Sequence, residues 1–243
     1  MALLRTPRTL RFASYNIRKA RGLDGRRNPG RILDVLNGLQ ADVIALQEAD
    51  KRLGDRPAAL PMRMIETQTD FEILPTAKNE VSLGWHGNAV LLRKGVEAGG
   101  VQRIDLPGFE PRGAVYFEID LGPLSVAVMG AHLGLMRRHR RLQLERLATH
   151  VQSADDAIIL GDFNEWSTRR GLEPLTPRFT VLSPGQSFHA ARPVAALDRI
   201  AHSGAIIMTE AGVEQGKLAR QASDHLPIWA DLMLPRPSVA LNT

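Results

Sequence analysis

The chain of 243 residues is 44% hydrophobic and 23% charged, proportions typical of a folded globular protein. Its formal net charge of +5 favours anionic partners such as nucleic acid, phospholipid headgroups or phosphorylated metabolites, although a basic surface also serves solubility alone. The absence of cysteine excludes disulfides, iron–sulfur clusters and thiolate zinc sites. Because neither a secretory signal nor a run of about 18 apolar residues is visible, we expect a cytoplasmic protein without a transmembrane segment, for which peripheral membrane association remains open.

Hydrophobic periodicity predicts alternating strands and helices in the first part of the chain. Residues 10–17 form the first predicted strand, an amphipathic helix follows over 29–39, and residues 43–46 return as a buried strand. Residues 51–70 are rich in glycine, proline and charge, which predicts an irregular connection bordering a substrate cleft, or alternatively a linker between domains.

The remainder of the chain predicts further strands and one long helix. The strands are predicted at 89–92, 114–119, 124–131, 157–160, 199–201, 205–209 and 228–234. The helix is predicted over 137–151, while 94–113 and 165–195 are predicted to be connections and the tail from 235 to be frayed. No internal repeat is visible. We therefore predict a single mixed α/β domain over 1–243, with its core in 10–234 and two packed sheets.

Four short polar motifs each follow a run typical of a buried strand, so we expect their side chains to emerge together at one end of a sheet. They are Ser-Tyr-Asn-Ile with Asn16, Leu-Gln-Glu with Glu48, Gly161-Asp162-Phe163-Asn164, and Ser223-Asp224-His225. Carboxylate and carboxamide oxygens suit a hard divalent cation, and an imidazole suits a phosphate ester. The motifs therefore indicate a metal-dependent phosphoesterase.

Each motif also has an ordinary structural interpretation. Glu48 could be an exposed glutamate after a strand, Asn16 a turn residue, and residues 161–164 an Asx-rich turn. The motif at 161–164 favours a chemical role more strongly than the others. Its glycine permits close backbone approach, and the side chains of Asp162 and Asn164 can point to the same side. A carboxylate and a carboxamide placed side by side can orient and activate a water molecule.

The motifs SYNI, ALQE, GDFN, LDRI and SDHLP, in this order, resemble the endonuclease/exonuclease/phosphatase superfamily. That group includes deoxyribonuclease I, apurinic-site endonucleases, neutral sphingomyelinases and inositol polyphosphate 5-phosphatases. The resemblance extends over about residues 10–234. It implies a four-layer α/β sandwich in which two packed mixed β-sheets are flanked by helices.

The resemblance also implies roles for the motif residues. Glu48 would be the principal Mg²⁺ ligand, with Mn²⁺ as an alternative ion, and Asn16 and Asp224 would complete the metal site. Asp162, helped by Asn164, would position or deprotonate the attacking water. Asp198 of the LDRI motif would orient His225, whose imidazole would contact the scissile phosphate and stabilise the charge that develops there.

Three further residues are implicated at the same site. His132 resembles a second active-site histidine that could protonate the leaving oxygen or bind a phosphate oxygen, although a strand-end histidine bonded to backbone is the alternative. Arg112 occupies the place of a phosphate-clamping arginine, or is an ordinary surface arginine. His86 stands where deoxyribonuclease I-like enzymes place a glutamate, so their proton relay does not transfer directly to this chain, and His86 could contact substrate instead.

The resemblance and the motifs together predict a Mg²⁺-dependent phosphodiesterase that uses metal-assisted in-line attack of water. Its substrate is expected to be nucleic acid or a phospholipid or small phosphodiester, and no obligate protein partner is evident. The alternative is a phosphomonoesterase of the inositol polyphosphate phosphatase kind, and a non-catalytic binding module is a minor one. The arginines of 137–141 could bind a nucleic-acid backbone or an anionic membrane, or form a solvated helix face.

Overall fold

The computed structural model describes residues 8–168 and 170–235 and contains two β-sheets of six strands each. Beyond Pro235, the tail predicted to be frayed lies outside the described residues. No helix within the described ranges is long and apolar enough to cross a membrane.

The first sheet has the strand order β11-β12-β1-β2-β4-β3, and only β1 and β2 run parallel to each other. Its strands are β1 (Thr9–Asn16), β2 (Val43–Gln47), β3 (Phe71–Ile73), β4 (Ala89–Arg93), β11 (Ile207–Val213) and β12 (Ile228–Met233).

The second sheet has the order β5-β6-β7-β8-β10-β9, in which the β7–β8 pair is parallel. Its strands are β5 (Ala98–Leu106), β6 (Arg112–Asp120), β7 (Ser125–His132), β8 (Ala157–Asp162), β9 (Thr180–Leu182) and β10 (Asp198–His202).

Four α-helices of the described residues cover the outer faces of the two sheets. They are α1 (Pro29–Gly38), α2 (Met62–Gln68), α3 (Arg137–His150) and α4 (Lys217–Ala222). Apolar residues of α1, α2 and α4 share a core with the first sheet, and those of α3 share one with the second. A third core lies between the two sheets and contains Phe12 from the first sheet and Phe117 from the second. These layers confirm the predicted four-layer sandwich.

The central strands read as continuous apolar runs because both of their faces are covered. In β8, Ile158 and Leu160 enter the core between the sheets, whereas Ala157 and Ile159 face the core shared with α3. The start of α1 was also encoded locally, since the Asn28 side chain accepts a hydrogen bond from the Arg31 amide and Pro29 occupies the first turn.

The sequence interpretation missed several elements that lack a strong apolar period. The segment 51–70, predicted to be irregular, contains α2, and 94–113, predicted to be a connection, contains most of a hairpin with the edge strand β5. The short elements β3, β9 and α4 were not predicted. Edge strands and one- to two-turn helices bury few side chains, and β5 also contains Gly99 and Gly100, which weaken the strand signal.

Candidate active site

The strand ends that carry the predicted site residues meet at one end of the sandwich. In the second sheet, Asp162 is the register partner of both His132 and Asp198. In the first sheet, Asn16 is the register partner of Gln47 at the end of β2, and Glu48 is the next residue of the chain. The Asn16 side-chain amide donates a 3.0 Å hydrogen bond to Oδ2 of Asp162, and this bond joins the two sheets at the site.

Asp162 lies at the centre of this cluster and is buried. Its Oδ2 is 3.3 Å from Nε2 of His132 and 3.7 Å from Nε2 of His225. Its Oδ1 accepts a 2.9 Å hydrogen bond from the Asn164 backbone amide. The carboxylate is therefore held in a single orientation by groups from both sheets.

The backbone around Asp162 requires the residues that the motif supplies. Gly161 has φ +153, and a Cβ built there would lie 1.9 Å from the carbonyl oxygen of Ala131 on the neighbouring strand. Asn164 adopts φ +52, a left-handed conformation that asparagine tolerates better than most residues, and its side-chain amide donates to the Leu133 carbonyl oxygen at 2.9 Å. The glycine and the asparagine thus serve backbone geometry as well as chemistry.

His225 is held by the second carboxylate of the site. Its Nδ1 lies 2.9 Å from Oδ2 of Asp198, which also accepts a 2.5 Å hydrogen bond from the Ser187 hydroxyl. Burial lowers the pKa of His225, but the negative charges of Asp198 and Asp162 outweigh that effect and raise the pKa to about 10. The ring is therefore an imidazolium at neutral pH.

His132 has the opposite character although it touches the same carboxylate. Burial lowers the pKa of His132 to about 3, and the attraction of Asp162 does not compensate for it. Arg112 contributes to this lowering, because its positive charge acts on the same imidazole. The site thus places a neutral histidine and a cationic one against the same oxygen, Oδ2 of Asp162.

The carboxylates predicted to bind metal are each neutralised by one short turn that follows β1. Over Arg18–Ala20 the chain forms a short turn in which all three residues have positive φ. Lys19 forms an ion pair with Oε2 of Glu48, and Nε of Arg18 lies 3.2 Å from Oδ2 of Asp224. Glu48 itself has φ +52, a strained conformation for a residue with a side chain.

These donors fit a hard dication best at Glu48. Its carboxylate is partly exposed and attracts positive charge, and Glu48 directly follows Gln47, the register partner of Asn16 on the adjacent strand. The Asn16 side-chain oxygen accepts a 3.1 Å hydrogen bond from the Arg18 amide in this structure. Asp224 fits less directly, because its carboxylate is shared with Arg18.

A second acidic group could also be considered for a metal. Ligand atoms of Asp162, Asp198 and His225 lie within 4.8 Å of one another. However, the imidazole already bridges both carboxylates, with one ring nitrogen toward each. A metal in that position would require loss of the proton that the two carboxylates stabilise, so we interpret this group as a histidine held between two acids.

The two predicted phosphate-binding residues lie at the edge of the site. Arg112 begins β6 and donates to Oε2 of Glu110, with Nη2 at 2.7 Å. His86 has one ring nitrogen 3.0 Å from Arg56 and the other 3.5 Å from Asp105, and burial, followed by the Arg56 charge, lowers the pKa of this histidine. His86 is therefore neutral and already has a partner at each nitrogen.

Two of the four arginines at the start of α3 bind one glutamate, and the other two, Arg138 and Arg141, are exposed. Arg137 and Arg140 both bind the carboxylate of Glu165, which follows the GDFN motif directly, and Arg140 is itself buried. Burial acts to raise the pKa of Glu165, but the hydrogen bonds from these arginines outweigh it and lower the pKa to about 2. Arg140 is therefore a buried structural residue, whereas Arg137 binds Glu165 from a half-exposed position.

Sequence reasoning missed several residues that complete the site. Ser187 supports Asp198, the turn with Arg18 and Lys19 neutralises two acids, and Glu165 ties the loop after β8 to α3. Glu165 had a local signal, since it directly follows the motif. Ser187 had none, because its connection carries no periodic pattern.

Comparisons with known proteins agree with this architecture. Residues 13–225 match the model of the Endonuclease/Exonuclease/phosphatase family. The uncharacterized protein YbhP of Escherichia coli K12 is 32% identical over 165 residues, which cover 62% of this chain and 64% of YbhP. The match therefore spans slightly less than two thirds of that relative.

Solved structures share the fold at low identity. A family protein from Bacteroides vulgatus superposes with a TM-score of 0.73 at 15% identity, covering 94% of this chain and 100% of that one. A family protein from Beutenbergia cavernae superposes with a TM-score of 0.72 at 20% identity, and the match covers 93% of this chain and 72% of that one. TDP2 from Caenorhabditis elegans superposes with a TM-score of 0.71 at 17% identity, and the match covers 93% of this chain and 75% of that one. With most of its length matched by the family model, this chain belongs to the endonuclease/exonuclease/phosphatase family.

Proposed function

We propose that the protein is a Mg²⁺-dependent phosphodiesterase that hydrolyses a phosphodiester by in-line attack of water. The observation that carries this proposal is the arrangement around Asp162, which is bonded by Asn16 from the opposite sheet and flanked by His132 and His225. A carboxylate held in this way can accept a proton from water, and an adjacent imidazolium can stabilise negative charge on a phosphate.

In this proposal the chain's own groups divide the reaction between them. Asp162 accepts the proton of the attacking water, and the Asn164 backbone amide fixes the orientation of its carboxylate. His225, kept protonated by Asp198, stabilises the developing charge on the phosphate and gives a proton to the leaving oxygen as its bond to phosphorus breaks. His132 is neutral, so it donates a hydrogen bond to a phosphate oxygen rather than acting as a strong acid. Arg112 adds positive charge on the same side.

Glu48 and Asn16 would hold the Mg²⁺ or Mn²⁺ ion, with Asp224 at its border. The ion would supply a Lewis acid for the phosphoryl oxygen. Lys19 would have to leave the Glu48 carboxylate when the ion binds, because both cations need the same oxygen.

A phosphomonoesterase remains the second candidate, and one observation favours it. Arg52 lies 3.9 Å from Oε1 of Glu48 and is largely exposed, so it could contact an additional phosphate beside the metal position. Turnover of bis-p-nitrophenyl phosphate and p-nitrophenyl phosphate with Mg²⁺ distinguishes the two candidates. We expect faster turnover of the diester, and faster turnover of the monoester would reverse the order.

The decisive test of the proposed chemistry is the D162N variant. We expect kcat to fall by about a thousandfold or more, because the amide cannot accept the proton of water. The change is isosteric, and D34N on the exposed face of α1 is the matched control, expected to retain wild-type activity.

Metal dependence is measured in the same assay. Activity of the wild type should disappear with EDTA and return with Mg²⁺ or Mn²⁺, and E48Q should require a higher metal concentration or lose activity. Activity that survives both D162N and E48Q would show that the site has been assigned incorrectly.

A further inference from the structure

Strongly exposed apolar side chains surround the end of the molecule that carries the site. They lie on five separate connections that leave or enter strands at this end. We define the apolar rim as Leu53, Phe109, Leu135, Met136, Trp166 and Val194. Of these side chains, Leu53 is 85% exposed, Phe109 83%, Leu135 67% and Trp166 61%. Single exposed apolar residues are ordinary, but their concentration around one site indicates a contact surface.

One intermediate residue on each side connects the rim to a predicted site residue. The ring centroid of Trp166 lies 6.0 Å from that of Phe188, which lies 5.0 Å from the imidazole of His225. On the other side, the Leu135 amide donates a 2.9 Å hydrogen bond to Glu110, which also binds the predicted site residue Arg112. A surface that covered the rim would therefore also cover the mouth of the site.

Basic side chains accompany the rim residues. Arg52 precedes Leu53 in the chain, the guanidinium of Arg138 lies 5.5 Å from the centre of the Phe109 ring, and exposed Arg192 lies two residues before Val194. Apolar side chains with neighbouring cations match an anionic bilayer, in which the former enter the acyl boundary and the latter meet lipid phosphates.

The composition of the rim favours lipid over nucleic acid. Four of the six rim side chains, those of Leu53, Leu135, Met136 and Val194, have no ring on which a base could stack, and a nucleic-acid backbone offers them no apolar surface. The other two, Phe109 and Trp166, are aromatic residues of the kind that also insert at a bilayer interface. We infer that the apolar rim docks the protein on an anionic phospholipid bilayer and presents headgroup phosphoesters to the site. The docking itself needs only the rim, whereas action on headgroups rests on the proposed phosphodiesterase function.

The inference is tested by co-sedimentation with phosphatidylcholine vesicles, with and without phosphatidylserine. The full-length D162N protein is used in EDTA, so that binding is measured without turnover. We expect vesicle binding to increase with the content of phosphatidylserine. We expect it to fall at least about tenfold when L53S, F109S and L135S are added together to the D162N protein, since each change removes a large apolar contact. The single change L53S should weaken binding in the same direction.

A matched control is available at the far end of the first sheet. Ile207 is 54% and Met208 38% exposed at the start of β11, away from the site. I207S combined with M208S should leave vesicle binding within about twofold of the parent, because these side chains do not meet the bilayer in the docked orientation.

Several results would overturn the inference. The first is that the parent protein does not bind vesicles, and the second is that the triple rim variant binds them as well as the parent does. The third is that the triple variant loses binding to an oligonucleotide while it keeps binding to vesicles. The fourth is that the parent is a dimer in sedimentation velocity and that the triple variant is a monomer. Failure of the proposed reaction is seen separately, because hydrolysis of bis-p-nitrophenyl phosphate by the wild type requires no bilayer.

Discussion

At the scale of single residues, the site uses burial and neighbouring charge to give two histidines opposite protonation states. His132 is neutral because little around it compensates for desolvation, whereas His225 is cationic because Asp198 and Asp162 flank it. The difference comes from the carboxylates around each ring, since both rings are buried. One histidine can therefore donate a neutral hydrogen bond while the other supplies positive charge.

The D198N variant tests the role of Asp198 as a positioning residue. Removing its negative charge lowers the pKa of His225 from about 10, so the imidazolium loses its proton at a lower pH. We expect reduced kcat and an alkaline loss of activity that begins at lower pH than in the wild type, measured as a pH–rate profile. An unchanged profile would contradict a charged His225, and D34N should keep the wild-type profile.

At the scale of elements, the loop after β8 is fixed by one close backbone contact and one buried ion pair. Gly161 allows β8 to approach the Ala131 carbonyl on β7, and Glu165 joins the loop to α3 through Arg137 and Arg140. Asp162 and Asn164 lie between these two anchors. Their precision therefore depends on packing outside the site itself.

The G161A variant tests the close contact. A methyl group there would lie 1.9 Å from a carbonyl oxygen, so the paired strands must separate. We expect the free energy of unfolding to fall by more than about 2 kcal/mol in chemical denaturation. G38A is the control: nothing lies within 4 Å of the added methyl group, and its effect should lie between zero and a gain of about 1 kcal/mol. Equal effects of the two changes would contradict the predicted clash.

The E165Q variant tests the ion pair. It leaves the buried Arg140 guanidinium without its counter-charge, and we expect a loss of about 3–5 kcal/mol in the free energy of unfolding at pH 7. The pKa of Glu165 is depressed to about 2. The stability that the wild type gains over E165Q is therefore fully present above the ordinary glutamate pKa and is lost as the pH falls to about 2. E145Q, on an exposed position of α3, should change stability little, and a similar loss in E145Q would contradict the assignment.

At the scale of the whole molecule, the two sheets form one structural unit through the core between them. Phe12 and Phe117 are completely buried there, on strands of different sheets. The Asn16–Asp162 bond crosses the same interface at its end. Loss of packing between the sheets should therefore affect the site and both sheets together.

The F117A variant tests this coupling. We expect a loss of about 3–5 kcal/mol and one unfolding transition that coincides in far-ultraviolet and near-ultraviolet circular dichroism. F109A removes the same side-chain atoms from an 83% exposed position and should cost less than about 1 kcal/mol. Two separate transitions in F117A would show that the sheets unfold independently.

The sequence by itself determined the main strands, the polar groups at their ends and the two-sheet architecture. Apolar runs and the start of α1 are encoded by neighbouring residues, so local patterns reveal them. The edge strand β5 and the short helix α4 were not predictable in this way, because they bury too few side chains to leave a period.

Only the tertiary structure decided which groups touch. Asn16 and Asp162 are separated by 146 positions, Ser187 reaches Asp198 from a connection without a pattern, and the apolar rim collects side chains from five connections. The charges of His132 and His225 likewise depend on their partners in space. The physical reason is that strand order and sheet packing follow from burial over the whole chain, whereas pattern in a sequence reports only the neighbours of each residue.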